Sequence, residues 1–112
     1  MLFRSDGPET AACLVMVTPD AHRTMCTHLG ASIELGPDDV DDALVRDAAV
    51  LYLEGYLWDS DAAKRAFIAA AEVMKAAGGQ VALSLSDAFC VERHRESFLE
   101  LVNGYEIGRA HV

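Results

Sequence analysis

At 112 residues and 52% hydrophobic, the chain is long enough for one domain with a buried core and too short for two. Eighteen acidic against nine basic residues give a formal net charge of −9. The basic residues are scattered, which argues against nucleic acid or an anionic membrane as partner, because phosphates are bound by clustered Lys and Arg.

Cys13, Cys26 and Cys90 are odd in number, far apart and without a Cys-x-x-Cys, so neither a disulfide framework nor a zinc site is indicated and a cytoplasmic location is expected. Met1 to Arg4 lead straight into the turn signal Asp6-Gly7-Pro8, and the longest uncharged apolar run, Thr10 to Pro19, is far short of a membrane span. No secretory signal and no membrane partner are expected.

Residues 1–9 read as a loop or ragged start. Cys13 to Thr18 and Arg23 to Leu29 are β-branched-rich runs separated by Pro19-Asp20-Ala21-His22, which predicts an antiparallel hairpin. Pro19 presets φ for the second position of a type I turn opened by Thr18. Gly30-Ala31-Ser32 breaks the second strand. Gly36-Pro37-Asp38-Asp39 then signals a helix over about residues 37–47, with Val40 and Leu44 on its apolar side and Asp38, Asp41 and Asp42 toward water.

A βαβ unit follows. Residues 49–54 predict a buried strand; Asp59-Ser60-Asp61 caps a helix to about Ala77 with Ala63, Phe67, Ala70, Ala71 and Met74 on one face; Gly78-Gly79 ends it; and residues 80–85 predict a second strand. Val91, Phe98, Leu101 and Val102 outline a last helix. A right-handed crossover puts the C-terminal ends of both strands on one sheet edge, where open α/β folds bind ligands, so Glu54, Ser86 and Asp87 should lie close together.

Each candidate has a plainer reading. Glu54 leaves a buried strand at the ligand edge and can accept hydrogen bonds from sugar hydroxyls, or it can pair with an Arg or cap the turn, and the two readings stand equal. Ser86-Asp87 can face a ligand, although capping the next helix is the favoured role. Arg23 on the hairpin can reach an anion or simply solubilise the surface. His22, His28, His94 and His111 share no metal spacing, and the run Glu92 to Glu96 reads as a solvated helix face. There is no Gly-x-Ser-x-Gly, Walker loop or Gly-x-Gly-x-x-Gly. Tyr52, Tyr56 and Trp58 could line a pocket, but aromatics beside a buried strand are usually core.

Val17-Thr18-Pro19-Asp20-Ala21-His22-Arg23-Thr24-Met25, Leu29-Gly30-Ala31, Leu51-Tyr52-Leu53-Glu54-Gly55-Tyr56-Leu57 and Leu85-Ser86-Asp87-Ala88-Phe89, in this order and spacing, resemble the ribokinase-like PfkB carbohydrate kinases, with the bacterial adenosine-kinase-like branch most similar. The resemblance covers roughly residues 8–103. It implies an α/β fold, a partial ribokinase-like doubly wound sheet with a β-hairpin on the lid or substrate side. It also implies an enzyme that moves the terminal phosphoryl of ATP, with Mg²⁺, to a hydroxymethyl group of a sugar or nucleoside. By residue match, Glu54 and Arg23 correspond to substrate-side positions of such enzymes, with Ser86 and Asp87 at the same edge. The family's lid hairpins can pair between subunits, which leaves a homodimer open for the full-length protein without fixing its oligomeric state.

The family's N-terminal Gly-Gly and Asn motif and its Gly-Ala-Gly-Asp stretch, which holds the catalytic base, do not occur in these residues. No catalytic residue and no metal ligand are therefore assigned. Asn103-Gly104-Tyr105-Glu106 spells the family's Asn-x-x-Glu magnesium motif but sits at a helix end, and it reads as coincidence. Glu106 to Val112 lacks a strand or helix period and resembles a translated sequencing adapter. The expectation is thus residues 10–105 as a partial kinase domain, 106–112 as a non-native tail, and an internal piece that is inactive and aggregation-prone alone. The alternative is a small, non-catalytic α/β ligand-binding or regulatory module.

Overall fold

The computed structural model describes residues 6–105, Ile107 and the backbone of residues 109–111. Residues 1–5 of the ragged start expected over 1–9, and Glu106, Gly108 and Val112 of the expected tail, lie outside the described residues. The chain divides into two compact units, one ending at Glu34 and the other beginning at Leu35.

The first unit is the predicted hairpin. Strand β1 (Ala12–Val17) pairs antiparallel with β2 (Arg23–His28), with Val17 opposite Arg23 and Ala12 opposite His28. Pro19, Asp20 and Ala21 form a three-residue loop: Ala21 N–H donates to the Thr18 carbonyl at 2.9 Å and Thr18 N–H to that of His22 at 3.0 Å. Its third residue must be left-handed, and Ala21 has φ +67°. The Thr18 hydroxyl and the Asp20 carboxylate close the turn from above. Every strand residue is exposed, Leu14, Val15, Met16, Val17 and Met25 included, so both faces of the hairpin are open.

In the second unit the single helix expected over residues 37–47 is split. The Asp39 carboxylate accepts from Gly36 N–H at 2.8 Å and closes a 3₁₀ turn over Pro37–Asp39. Val40 is extended, and Asp41 caps a separate short helix α1 (Asp42–Asp47) by accepting from Ala43 and Leu44 N–H. Aspartates satisfy helix ends better than they tolerate helix interiors, so two caps in succession cut the helix in two. The new register turns Leu44 outward, 71% exposed, and packs Val45 against the core.

Strand β3 (Val50–Glu54), helix α2 (Asp61–Ala76) and strand β4 (Gln80–Ser84) form the predicted βαβ unit, with Leu51 beside Val81 and Glu54 beside Ser84. Ser60 caps α2, and all five residues placed on its inner face are buried. Gly78 takes φ +75° and Gly79 N–H returns to the Met74 carbonyl, a Schellman ending. Helix α3 (Ala88–Gly104) is capped by Asp87 and kinks at His94, φ −124°. Lys75, in the last turn of α2, donates to the Gly104 carbonyl at the end of α3 at 3.1 Å, with the Tyr105 ring 6.0 Å away.

The core joins Leu53, Val81 and Leu83 on one sheet face to Phe67, Ala71 and Met74 of α2 and to Cys90, Phe98 and Leu101 of α3. Trp58 lies between Phe67 and Phe98, at ring distances of 5.9 and 5.5 Å, and satisfies its indole N–H on the Ser97 hydroxyl. The opposite face, with Val50 and Tyr52, is exposed, so β3 is half-buried rather than fully buried as expected. A short strand β5 (Arg109–His111) extends the sheet, parallel to β4, and Ile107 is buried in the core. This replaces the expectation that the last residues carry no strand.

Candidate functional site

Glu54 ends β3, and residues two apart in a strand share a face, which puts Tyr52 beside it. The Tyr52 hydroxyl donates to Glu54 Oε2 at 3.1 Å. Parallel pairing with β4 brings the chain after Ser84 to the same edge, where the Ser86 hydroxyl donates to Glu54 Oε1 at 2.5 Å. The two polar strand ends do meet.

Ser86 reaches Glu54 from an unusual backbone. Its φ is +69°, left-handed for a residue other than glycine, and its N–H donates to the Ser84 hydroxyl at 3.2 Å. The turn packs tightly against Gly55: a Cβ there would stand 2.5 Å from the Ser84 carbonyl oxygen and 2.9 Å from Ser86 Oγ. On the other side of Gly55 the Cys90 thiol donates to the Gly55 carbonyl at 3.3 Å. The carboxylate, the serine turn and the glycine thus form one interlocked corner.

The Ser86 hydroxyl, more than any other contact, holds the Glu54 carboxyl below the usual glutamate range; burial opposes this, and Ser84 and Tyr52 reinforce it. Glu54 is therefore an ionised, acceptor-only group whose oxygens are oriented by two hydroxyls. Burial pushes the Cys90 thiol up, away from nucleophilic character.

Asp87 is close by, and each of its oxygens accepts a bond from within the chain. Oδ1 accepts from Cys90 N–H at 2.7 Å as the α3 cap and Oδ2 from the Tyr56 hydroxyl at 3.0 Å. The capping role favoured for Asp87 is therefore filled. Arg23 belongs to the hairpin unit, where it opens β2 opposite Val17.

Two features escaped the sequence reading. Tyr52 and Tyr56 are not core: both are exposed and both donate to the site's carboxylates, while Trp58 alone is buried. The strand period would have put Tyr52 beside Glu54, whereas nothing local pairs Tyr56 with Asp87. The run Glu92 to Glu96 is not wholly solvated either. Arg93 makes two bonds to Asp59, at 3.2 and 3.0 Å, and His94, only 15% exposed, lies 2.5 Å from the same carboxylate. His94 and Arg93 hold the Asp59 carboxyl below the ordinary range.

Among the described residues no three His, Cys, Asp or Glu side chains lie together as a metal site, and no helix is long and apolar enough to cross a membrane. An apolar groove lies between α1, α2 and β3, lined by Leu35, Val45, Leu51 and Phe67, with Asp39 and Asp41 among its walls.

No family model and no curated protein matches the chain. Solved structures do. The chain is 48% identical to an adenosine kinase from Sinorhizobium meliloti, with a TM-score of 0.80 over 89% of this chain and 31% of that one. It is 44% identical to a probable sugar kinase from Rhizobium etli CFN 42, with a TM-score of 0.78 over 87% of this chain and 29% of that one. An Escherichia coli protein of the ribokinase II type shares the fold, with a TM-score of 0.74 at 18% identity over 85% of this chain and 32% of that one. The same type of protein has been captured with ATP and Mg²⁺. The chain spans about 30% of the length of these proteins, and over that span its fold is ribokinase-like.

Proposed function

We propose that this chain, which matches a segment of the ribokinase-like PfkB kinases, forms part of the substrate-side wall of an ATP-dependent kinase for a hydroxymethyl group of a sugar or nucleoside. The observation that carries the reading is Glu54, ionised and oriented by two hydroxyls at the ligand edge of parallel strands, in a chain 48% identical to an adenosine kinase.

Each oxygen of a carboxylate can accept more than one hydrogen bond, so Glu54 keeps capacity for hydroxyls of the acceptor after Ser86 and Tyr52 have bonded to it. Such charge-assisted bonds fix the orientation of a polyol and contribute more than neutral ones. For phosphoryl transfer this matters because catalysis rests mainly on positioning and charge neutralisation. ATP supplies the phosphoryl group and Mg²⁺ neutralises its charge. The described residues hold no cluster fit for the metal, and the sequence carries no phosphate-cradling loop, so on this reading those groups are held elsewhere in the kinase.

Steady-state kinetics on the protein that carries this segment test the reading, with adenosine and pentoses as acceptors. Glu54→Gln should raise the acceptor KM at least tenfold and leave the KM for ATP within twofold. An unchanged acceptor KM overturns the site. The 112-residue chain alone should transfer no phosphoryl group, and turnover by it would overturn the assignment of a wall without transfer machinery.

A further inference from the structure

We propose that Ser86 is a positioning residue whose left-handed backbone exists to aim its hydroxyl at Glu54, fixing the carboxylate for an acceptor's hydroxyls; this rests on the kinase-wall reading above. Three observations converge on it. A non-glycine residue at φ +69° is uncommon and costly, and such residues persist where surroundings over-determine them, often at functional sites. The surroundings here do so: Ser84 Oγ accepts from Ser86 N–H, and Gly55 leaves just enough room for the turn. The side chain so placed makes the shortest contact in the corner, 2.5 Å to Glu54 Oε1.

A turn needed only for chain reversal would favour glycine at this φ. Serine accepts the backbone cost and returns a donor to an acceptor-only group. The Tyr52 hydroxyl holds the other oxygen, so the carboxylate is gripped from the strand and from the following loop. Among the described residues the titratable groups around Glu54 are Tyr52 on β3, Tyr56 in the turn after it, and Asp87 and Cys90 at the start of α3. None of these is cationic, and the two described donors to the carboxylate are hydroxyls.

Ser86→Gly separates the two roles, because glycine relieves the backbone while deleting the hydroxyl. Three measurements are made on wild type, Ser86→Gly, Ser86→Ala and Ser86→Asn: the melting temperature of the purified chain, the titration midpoint of the Glu54 carboxyl by side-chain ¹³C NMR, and the acceptor KM in the protein carrying the segment. Ser86→Gly is expected to melt no lower than wild type, to shift the Glu54 midpoint upward, and to raise the acceptor KM roughly tenfold with kcat changed less. Ser86→Asn tolerates the left-handed region and supplies an amide donor, and should recover most of both effects.

A Glu54 midpoint or acceptor KM unmoved in Ser86→Gly overturns the proposal. If Glu54→Gln raises the KM and Ser86→Gly does not, Ser86 is merely a turn residue and the kinase-wall reading stands. If Glu54→Gln leaves the KM unchanged, that reading falls with its site, whatever Ser86 does to the titration.

Discussion

Gly55 and Ala21 make opposite bargains with their backbones. At Gly55 the constraint is space: an added Cβ would meet the Ser84 carbonyl oxygen, part of a β4 backbone that cannot swing aside as a flexible side chain could. Gly55→Ala should therefore cost about 1–3 kcal/mol in urea unfolding, in the range of an overpacked site, and move Ser86 off Glu54. At Ala21 the constraint is torsion alone. Ala21→Gly should stabilise the hairpin by about 1 kcal/mol, seen as a rise in the hairpin's population by NMR, because φ +67° has no steric penalty for glycine. Glu54 was legible in the sequence since polarity at the end of an apolar strand marks the ligand edge of a parallel sheet. Tyr56 was not, because its partner Asp87 is 31 residues away and only the folded turn brings the two together.

Among the elements, α3 is bent at His94, and the residues at the bend clamp Asp59 at the start of α2's approach. The folded state lowers the Asp59 pKa, so this contribution is fully present above the ordinary carboxylate range and is lost as pH falls through the lowered value. Asp59→Asn should cost about 1 kcal/mol or less at neutral pH, given that the aspartate is half exposed, and the deficit should shrink as pH falls from neutral through and below the ordinary carboxylate range. Chemical denaturation at neutral and at acid pH checks it. Deeper in the same layer, Met74 is fully buried, and Met74→Ala should cost about 2–5 kcal/mol by the same measurement. Helix α2 was read correctly because its inner face repeats at helical spacing between a serine cap and two glycines. The segment 37–47 was misread because its periodicity hid a competition between Asp39 and Asp41, each of which serves as a cap. The charged run on α3 was misread for a related reason: a residue's charge says nothing of a partner 34 or 35 positions away.

At the scale of the whole chain, burial is concentrated in the unit from Leu35 onward, around Leu53, Met74, Leu83 and Phe98, while the hairpin exposes both faces. An isolated two-stranded ribbon is marginal in water, so amide exchange over Ala12–His28 should be orders of magnitude faster than over Val50–Glu54 and Gln80–Ser84. Apolar groups uncovered at Leu14, Val17, Tyr52 and Phe89 should make the purified chain self-associate as its concentration rises, which light scattering would register; a monomer at all concentrations would contradict this. The sheet order was half legible from sequence. The βαβ unit announces itself through two apolar runs of strand length, but Arg109–His111 carries no such run and yet pairs in parallel with β4. One contact in this unit has a reach beyond its size. The chain has two lysines, and the ammonium of Lys75, carried on the last turn of α2, donates to the Gly104 carbonyl at the end of α3. Acetylation there, by an enzyme or by an activated acyl donor, would remove the charge that ties one helix end to the other, whereas the same modification at Lys64 would release one exposed carboxylate, so a single covalent mark would be felt very differently at the two amines.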